Sequence, residues 1–251
     1  MSFTRLLGVA LAALVAGMIN SIAGGGTLIS FPAALAAGLP AIMANATNAV
    51  ALTPGSLAAA WGFRREVRRH LRLTLSLLGP ALAGGLVGSV ILRLTPQHLF
   101  DGVIPWLVLG ATLLILLQRM IRLRHRNVPL GWVLVAQFVV GVYGGYFGAA
   151  MGIIMIALFS TLTELDAREA NAVKNVLGGS INCIAAIYFL VGGLVDYRAA
   201  LVMGVSASAG GYVGARLARK VSAERIRFIV VAVGLCSSVF LGYRFYLSSI
   251  R

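Results

Sequence analysis

The two halves of this chain repeat one another. Ala83-Gly84-Gly85-Leu86-Val87-Gly88 returns as Ala209-Gly210-Gly211-Tyr212-Val213-Gly214, and Ala44-Asn45-Ala46 returns as Ala170-Asn171-Ala172. Gly55-Ser56 recurs as Gly179-Ser180, and Thr95-Pro96-Gln97-His98-Leu99 aligns with Ser222-Ala223-Glu224-Arg225-Ile226, both reading as helix N-caps with a first turn. The offsets are all about 124 to 127 positions, half of the 251 residues. Small-residue matches arise by chance in a Gly/Ala-rich chain, but four in order at one offset do not. Halves of this kind mark transporters whose substrate site lies between two structural repeats.

The solvent such a fold expects is set by its lack of charge. Apolar residues make up 59% of the chain and charged residues 11%, with a mean hydropathy of +0.93. Soluble domains carry about 25% charged residues, so lipid is the expected surroundings. The net charge of +14 does not point to nucleic acid, because 14 of the 21 Lys and Arg fall in three short runs, 64–72, 119–126 and 216–227. Each run lies between apolar stretches, the pattern of cytoplasmic loops. Cys183 and Cys236 both lie in apolar helical stretches and read as buried free thiols rather than a disulfide or zinc site. Arg5 and the apolar run after it mimic a signal peptide, but the run flows into the first Gly-rich motif and is expected to be a retained span.

A membrane-crossing helix needs about 20 apolar residues, with a lower limit near 17. Candidates are 6–23, 42–63, 73–92, 103–118, 130–147, 170–191, 199–217 and 226–246, eight in all. Two short segments, 26–37 and 148–162, follow Gly24-Gly25-Gly26 and the Gly144-Gly145/Gly148 cluster, which predict helix interruptions at membrane depth. Counting the short segments as crossings puts all three basic runs on one side. Matched loops then carry opposite charge, Arg64–Arg72 against 192–198 and 216–227 against 93–101, as an inverted duplication requires. The expected fold is an all-α integral membrane protein of two inverted repeats, 1–127 and 128–251, forming one membrane domain. Its expected location is the inner cell membrane, with basic loops 64–72, 119–126 and 216–227 cytoplasmic.

Two clusters could carry chemistry. The first is the break Asn20-Ser21-Ile22-Ala23-Gly24-Gly25-Gly26-Thr27. A Gly-rich break that opens a helix points backbone N–H groups and a positive dipole end at the gap, which attracts an anion, and Thr27 adds a hydroxyl. Close helix packing is the other use of Gly24, Gly25 and Gly26. The second copy, Tyr143 to Gly148, adds aromatic rings. No Lys follows the glycines, so neither copy is a nucleotide P-loop.

The second cluster is Asn45-Ala46-Thr47-Asn48 with its partner Asn171-Ala172-Val173-Lys174-Asn175. Asn45 and Asn48, like Asn171 and Lys174, lie three apart on one helix face. Lys174 costs about 2.5–3.5 kcal/mol at the bilayer centre, which binding an anion would offset. Snorkelling, or pairing with Asp166 or Glu169, is the alternative. Thr53, Ser56, Ser180 and Asn182 follow on the same helices, where hydroxyls mostly bond back to their own backbone. Asp101 and Asp196 read as solvated turn residues. No metal spacing joins His70, His98 and His125, and no catalytic triad or carboxylate pair lies in a span. No enzyme activity, cofactor or metal is expected.

The stretch Gly24 to Pro32, followed by Ala44 to Asn48, resembles the first half-motif of the sulfite exporter TauE/SafE family of membrane permeases. Gly144–Gly152 and Arg168–Asn175 are similar to its second half-motif, and Asp196-Tyr197-Arg198 with Ala209–Arg216 to its closing segment. The resemblance runs from about Leu14 to Arg227 and implies a carrier of small sulfur-containing anions such as sulfite or organosulfonates. One departure is Ala149-Ala150 where the first copy has Gly25-Gly26. The expected function is export of a small anion by a secondary carrier; an anion channel and a non-transporting scaffold subunit are the alternatives. The expected substrate contacts are Gly24, Gly25, Gly26, Thr27, Asn45, Thr47, Asn48, Gly148, Asn171, Lys174 and Asn175. The expected partners are the anion and the lipid bilayer, without nucleic acid, and homo-oligomerisation is left open.

Overall fold

The computed structural model describes residues 2–22, 24–117, 128–217, 223–243 and 245. Among them the chain is helical throughout, without strands: α1 (Phe3–Ile22), α2 (Thr27–Ala36), α3 (Ala41–Gly62), α4 (Arg64–Arg69), α5 (Leu71–Leu94), α6 (Gln97–Leu117), α7 (Leu130–Tyr146), α8 (Met151–Leu162), α9 (Ala167–Val191), α10 (Tyr197–Leu217) and α11 (Ala223–Gly242). The eight long apolar stretches and two short ones all form helices. α1, α5, α6 and the 168–191 part of α9 are long and apolar enough to cross a membrane by length and composition. Large apolar side chains face outward on α3, α6, α7 and α10, among them Trp61, Trp106, Trp132 and Leu201. A surface of this kind suits lipid.

The short helix α4 was not expected. Its Glu66 takes Arg168 at 2.7 Å, and His70, just beyond its end, meets Glu169 at 2.8 Å. Asp166 accepts from the amides of Arg168 and Glu169 at 2.8 Å each, and Glu169 reaches back to the Asp166 amide, a capping box that fixes where α9 starts. At the other end of α9, the Asp196 amide donates to Thr47 Oγ1 at 3.0 Å. α9 therefore starts beside the end of α3 and finishes beside its beginning, so the two helices run antiparallel.

The helix neighbours are symmetric under exchange of the halves. α1 packs on α10 and α7 packs on α5; α3 packs on α10 and α9 on α5; α3 meets α9, and α6 meets α11. The AGGxVG repeat lies at the first two of these contacts. A methyl at Gly210 would overlap the Leu14 carbonyl, and one at Gly84 the Phe138 carbonyl; Gly214 meets Met18 as Gly88 meets Val142. Each contact in one seam has its counterpart about 124 to 126 positions away in the other. In both seams the paired helices run parallel, since later residues of one meet later residues of the other. Ser21 adds a 2.9 Å hydrogen bond to the Gly211 carbonyl. Small residues make this approach possible where lipid supplies no hydrophobic drive.

Several expectations are corrected. Thr95 does not cap α6; its hydroxyl donates to the Ile91 carbonyl and closes α5. Cys236 is exposed on α11 and Cys183 is half-buried, so neither is an enclosed thiol. Asp101 lies inside α6 and takes Gln97 at 2.7 Å, while Asp196 accepts from the Ala199 amide at 2.9 Å. Run 119–126 and residues 218–222, Ser222 among them, lie outside the described residues.

The seams yield a stability test. Gly84→Ala and Gly210→Ala place a methyl against a backbone oxygen that no rotamer change can relieve, at a cost of about 1–3 kcal/mol. Each is expected to lower Tm in detergent by about 5 °C. Gly8→Ala and Gly110→Ala, where a methyl meets open space, are expected to leave Tm within about 1 °C of wild type or raise it slightly.

Candidate functional site

The first break turns on Gly24 and Gly25, at φ +79° and +89°, and the second on Gly148 at +72° and Ala150 at +59°. Left-handed backbone is nearly free for glycine and costs about 1–2 kcal/mol for alanine. The departure at Ala149-Ala150 therefore does not abolish the second break: Ala150 takes the left-handed shape and caps α8. Tyr143 Oη braces it with a 2.6 Å hydrogen bond to the Ala149 carbonyl. The breaks touch, since the position a Gly24 side chain would occupy lies 3.4 Å from Ile153 and 3.7 Å from Gly152.

Part of the amide supply expected at the breaks is used locally. Leu28 and Ile29 bond back to the Gly25 and Gly26 carbonyls at 3.0 Å, and Met151 and Ile153 to Gly148 and Ala150. The amides of Gly25, Gly26, Ala149, Ala150 and Gly152 make no backbone hydrogen bond among the described residues.

Between the breaks lies a cavity of about 40 Å³. Gly25 and Thr27 line it from the first break and Gly148, Met151 and Gly152 from the second. α3 supplies Asn45 and Asn48, and α9 supplies Lys174 and Asn175. Lys174 is 4% exposed, Asn48 2% and Asn175 4%. The Asn48 carbonyl oxygen and the Asn175 amide nitrogen have no hydrogen-bond partner. Nζ of Lys174 donates to the Asn20 carbonyl at 3.4 Å. Both carboxylates considered as its partners are engaged elsewhere, Glu169 with His70 and Asp166 in the capping box. A buried ammonium held by one long hydrogen bond is costly unless a counter-charge arrives. Its stem packs over Gly152, where a methyl would lie 2.9 Å from Cδ.

The cavity thus brings together Gly25, Thr27, Asn45, Asn48, Gly148, Lys174 and Asn175 from the expected set. Gly24, Gly26, Thr47 and Asn171 lie off its wall. Gly24 backs onto α8, and Gly26 presses against the backbone of Ala16. Thr47 holds the Asp196 amide, and Asn171 keeps a buried carbonyl oxygen with no partner. Asn45 does double duty, donating to the Tyr146 carbonyl at 2.9 Å and so tying α3 to the second break. Asn20, Gly178 and Gly179 also line the wall and were not among the expected contacts, although Asn20 opens the first Gly-rich stretch. Ser56 and Asn182 also line it, whereas Ser180 bonds back to the Val176 carbonyl at 2.9 Å.

The family model described as sulfite exporter TauE/SafE matches residues 9–241. Among curated proteins, the membrane transporter protein YfcA of Escherichia coli K12 is 32% identical over 92% of this chain and 87% of its own length. A transporter protein called ORF9 from a Sinorhizobium species is 29% identical over 95% and 93%, and one from Haemophilus influenzae 29% over 91% of each. All three carry names of the form "probable membrane transporter protein". No solved structure matches the chain. Apolar helices and this kinship together make it a multi-pass membrane protein of a transporter family rather than an enzyme family.

The two polar groups of α3 can be separated by experiment. Thr47→Val strands the Asp196 amide, at about 1–3 kcal/mol, and is expected to lower Tm while leaving KM for the transported substrate unchanged. Asn48→Ala is expected to raise KM with little change in Tm.

Proposed function

Because the chain belongs to the sulfite exporter TauE/SafE family, we propose that it is a secondary carrier exporting a small oxyanion, sulfite or an organosulfonate, through the cavity between the two breaks. The observation that carries this reading is Lys174, a cation buried in that cavity with no carboxylate among the described residues that line it. An anion entering there gains the ammonium, the Asn175 side-chain amide, the Thr27 hydroxyl and the open amides of the breaks. Water needs about 10–15 Å³ of such space, so a cavity of about 40 Å³ suits a four-atom oxyanion such as sulfite. An organosulfonate with a carbon tail requires it to widen.

The topology follows the same reading. Antiparallel α3 and α9 are supported by ties at both ends, which fits inverted repeats of five crossings with α2 and α8 counted among them. On one side Phe147, in edge contact with Phe31 at 5.3 Å, lines the cavity. With the 64–72 run cytoplasmic, Asp196 lies on the far face. Labelling of Asp196→Cys by an impermeant reagent is expected from outside the cell, and labelling only from the cytoplasm contradicts the inverted arrangement.

The function itself is tested in liposomes containing the purified protein, with labelled sulfite. Saturable flux and counter-flow are expected, reduced about 100-fold or more in Lys174→Gln with folding retained. Flux that does not saturate identifies a channel, and absence of any flux a scaffold.

A further inference from the structure

Resting on that reading of the cavity, we propose that the site selects singly charged oxyanions, taking sulfite in its singly charged form hydrogensulfite, and turns away doubly charged ones. Among the described residues that line it, Lys174 is the one with an ionisable side chain of either sign. Its counterpart in the first repeat is the neutral Asn48, at the same offset that relates Asn45 to Asn171. At the start of α9 His70 pairs with Glu169 and Glu66 with Arg168, and none of these four residues lines the cavity.

A monoanion therefore leaves the occupied cavity neutral. A dianion leaves one negative charge buried, held by neutral donors alone: the Asn175 amide, the Thr27 hydroxyl and the backbone of the breaks. An uncompensated buried charge of that kind weakens occupancy about 100-fold or more. Selection here acts through charge, which shape cannot imitate. Methanesulfonate and sulfate separate the two, since both are tetrahedral with five heavy atoms and they differ by one unit of charge.

The experiment measures uptake of radiolabelled methanesulfonate and radiolabelled sulfate into liposomes containing the full chain, beside labelled sulfite. Wild type is expected to favour methanesulfonate over sulfate by about 100-fold. Asn48→Lys supplies a second ammonium at the repeat-equivalent position and is expected to shift that ratio toward sulfate by about tenfold or more. Comparable uptake of both anions by wild type overturns the inference, and this arm does not depend on any variant folding. An unchanged ratio in Asn48→Lys protein that keeps its Tm also overturns it. If sulfite moves and sulfate matches methanesulfonate, charge selection falls alone. If none of the three moves, the carrier reading falls and charge selection with it.

Discussion

The close approach of α1 to α10 and of α5 to α7 is the contact on which the rest of the molecule depends. Lipid tails are as apolar as leucine, so helices in a bilayer gain little from hiding apolar faces and must rely on fit. Here the fit is backbone against backbone, with Gly210 on Leu14 and Gly84 on Phe138. Each seam joins a helix of one half to a helix of the other, so neither half closes around its own core. The interlock also fixes α3 and α9, which pack on the seam helices and on each other. That placement sets the two breaks face to face. A cavity with side chains from both halves follows directly.

Onto this symmetric frame the chain places asymmetric chemistry. Asn48 and Lys174 occupy corresponding positions, yet one is neutral and the other charged. Gly26 takes right-handed backbone as the cap of α2, whereas Ala150 takes left-handed backbone as the cap of α8. The second break accepts strain that an Oη–carbonyl bond from Tyr143 helps to hold. The two halves thus share a frame, while the charged side chain in the cavity comes from one of them. The ties at the two ends of the α3/α9 pair differ as well. One is a pair of ion pairs and the other a single amide–hydroxyl bond. A carrier that opens alternately on two sides has to break each in turn.

Much of this was legible in the residues, for identifiable reasons. Long apolar runs located the helices to within a few positions, because burial in lipid requires them to be continuous. Consecutive glycines located the breaks, and polar residues inside spans located Asn48 and Lys174, because both are costly without a purpose. The AGGxVG repeat, read as a sign of duplication, also forms the seam: its glycines serve packing and none lines the cavity. Helical geometry could have removed Thr47, which sits about 200° around the helix from Asn45 at 100° per residue. Nothing local could have found the His70–Glu169 or Glu66–Arg168 pairs, since both depend on the start of α9 lying beside the end of α3. Asn20 was equally hidden: its contribution is a carbonyl oxygen, which every residue possesses.

The central claim is that one anion site lies between the breaks, beside Lys174 Nζ. The most direct measurement is a structure determined with selenite, an oxyanion whose selenium scatters anomalously. A single anomalous peak within hydrogen-bond reach of Lys174, between Thr27 and Gly152, is the predicted result. A peak at the exposed arginines of α4 instead, with the cavity empty at saturating selenite, would contradict the account.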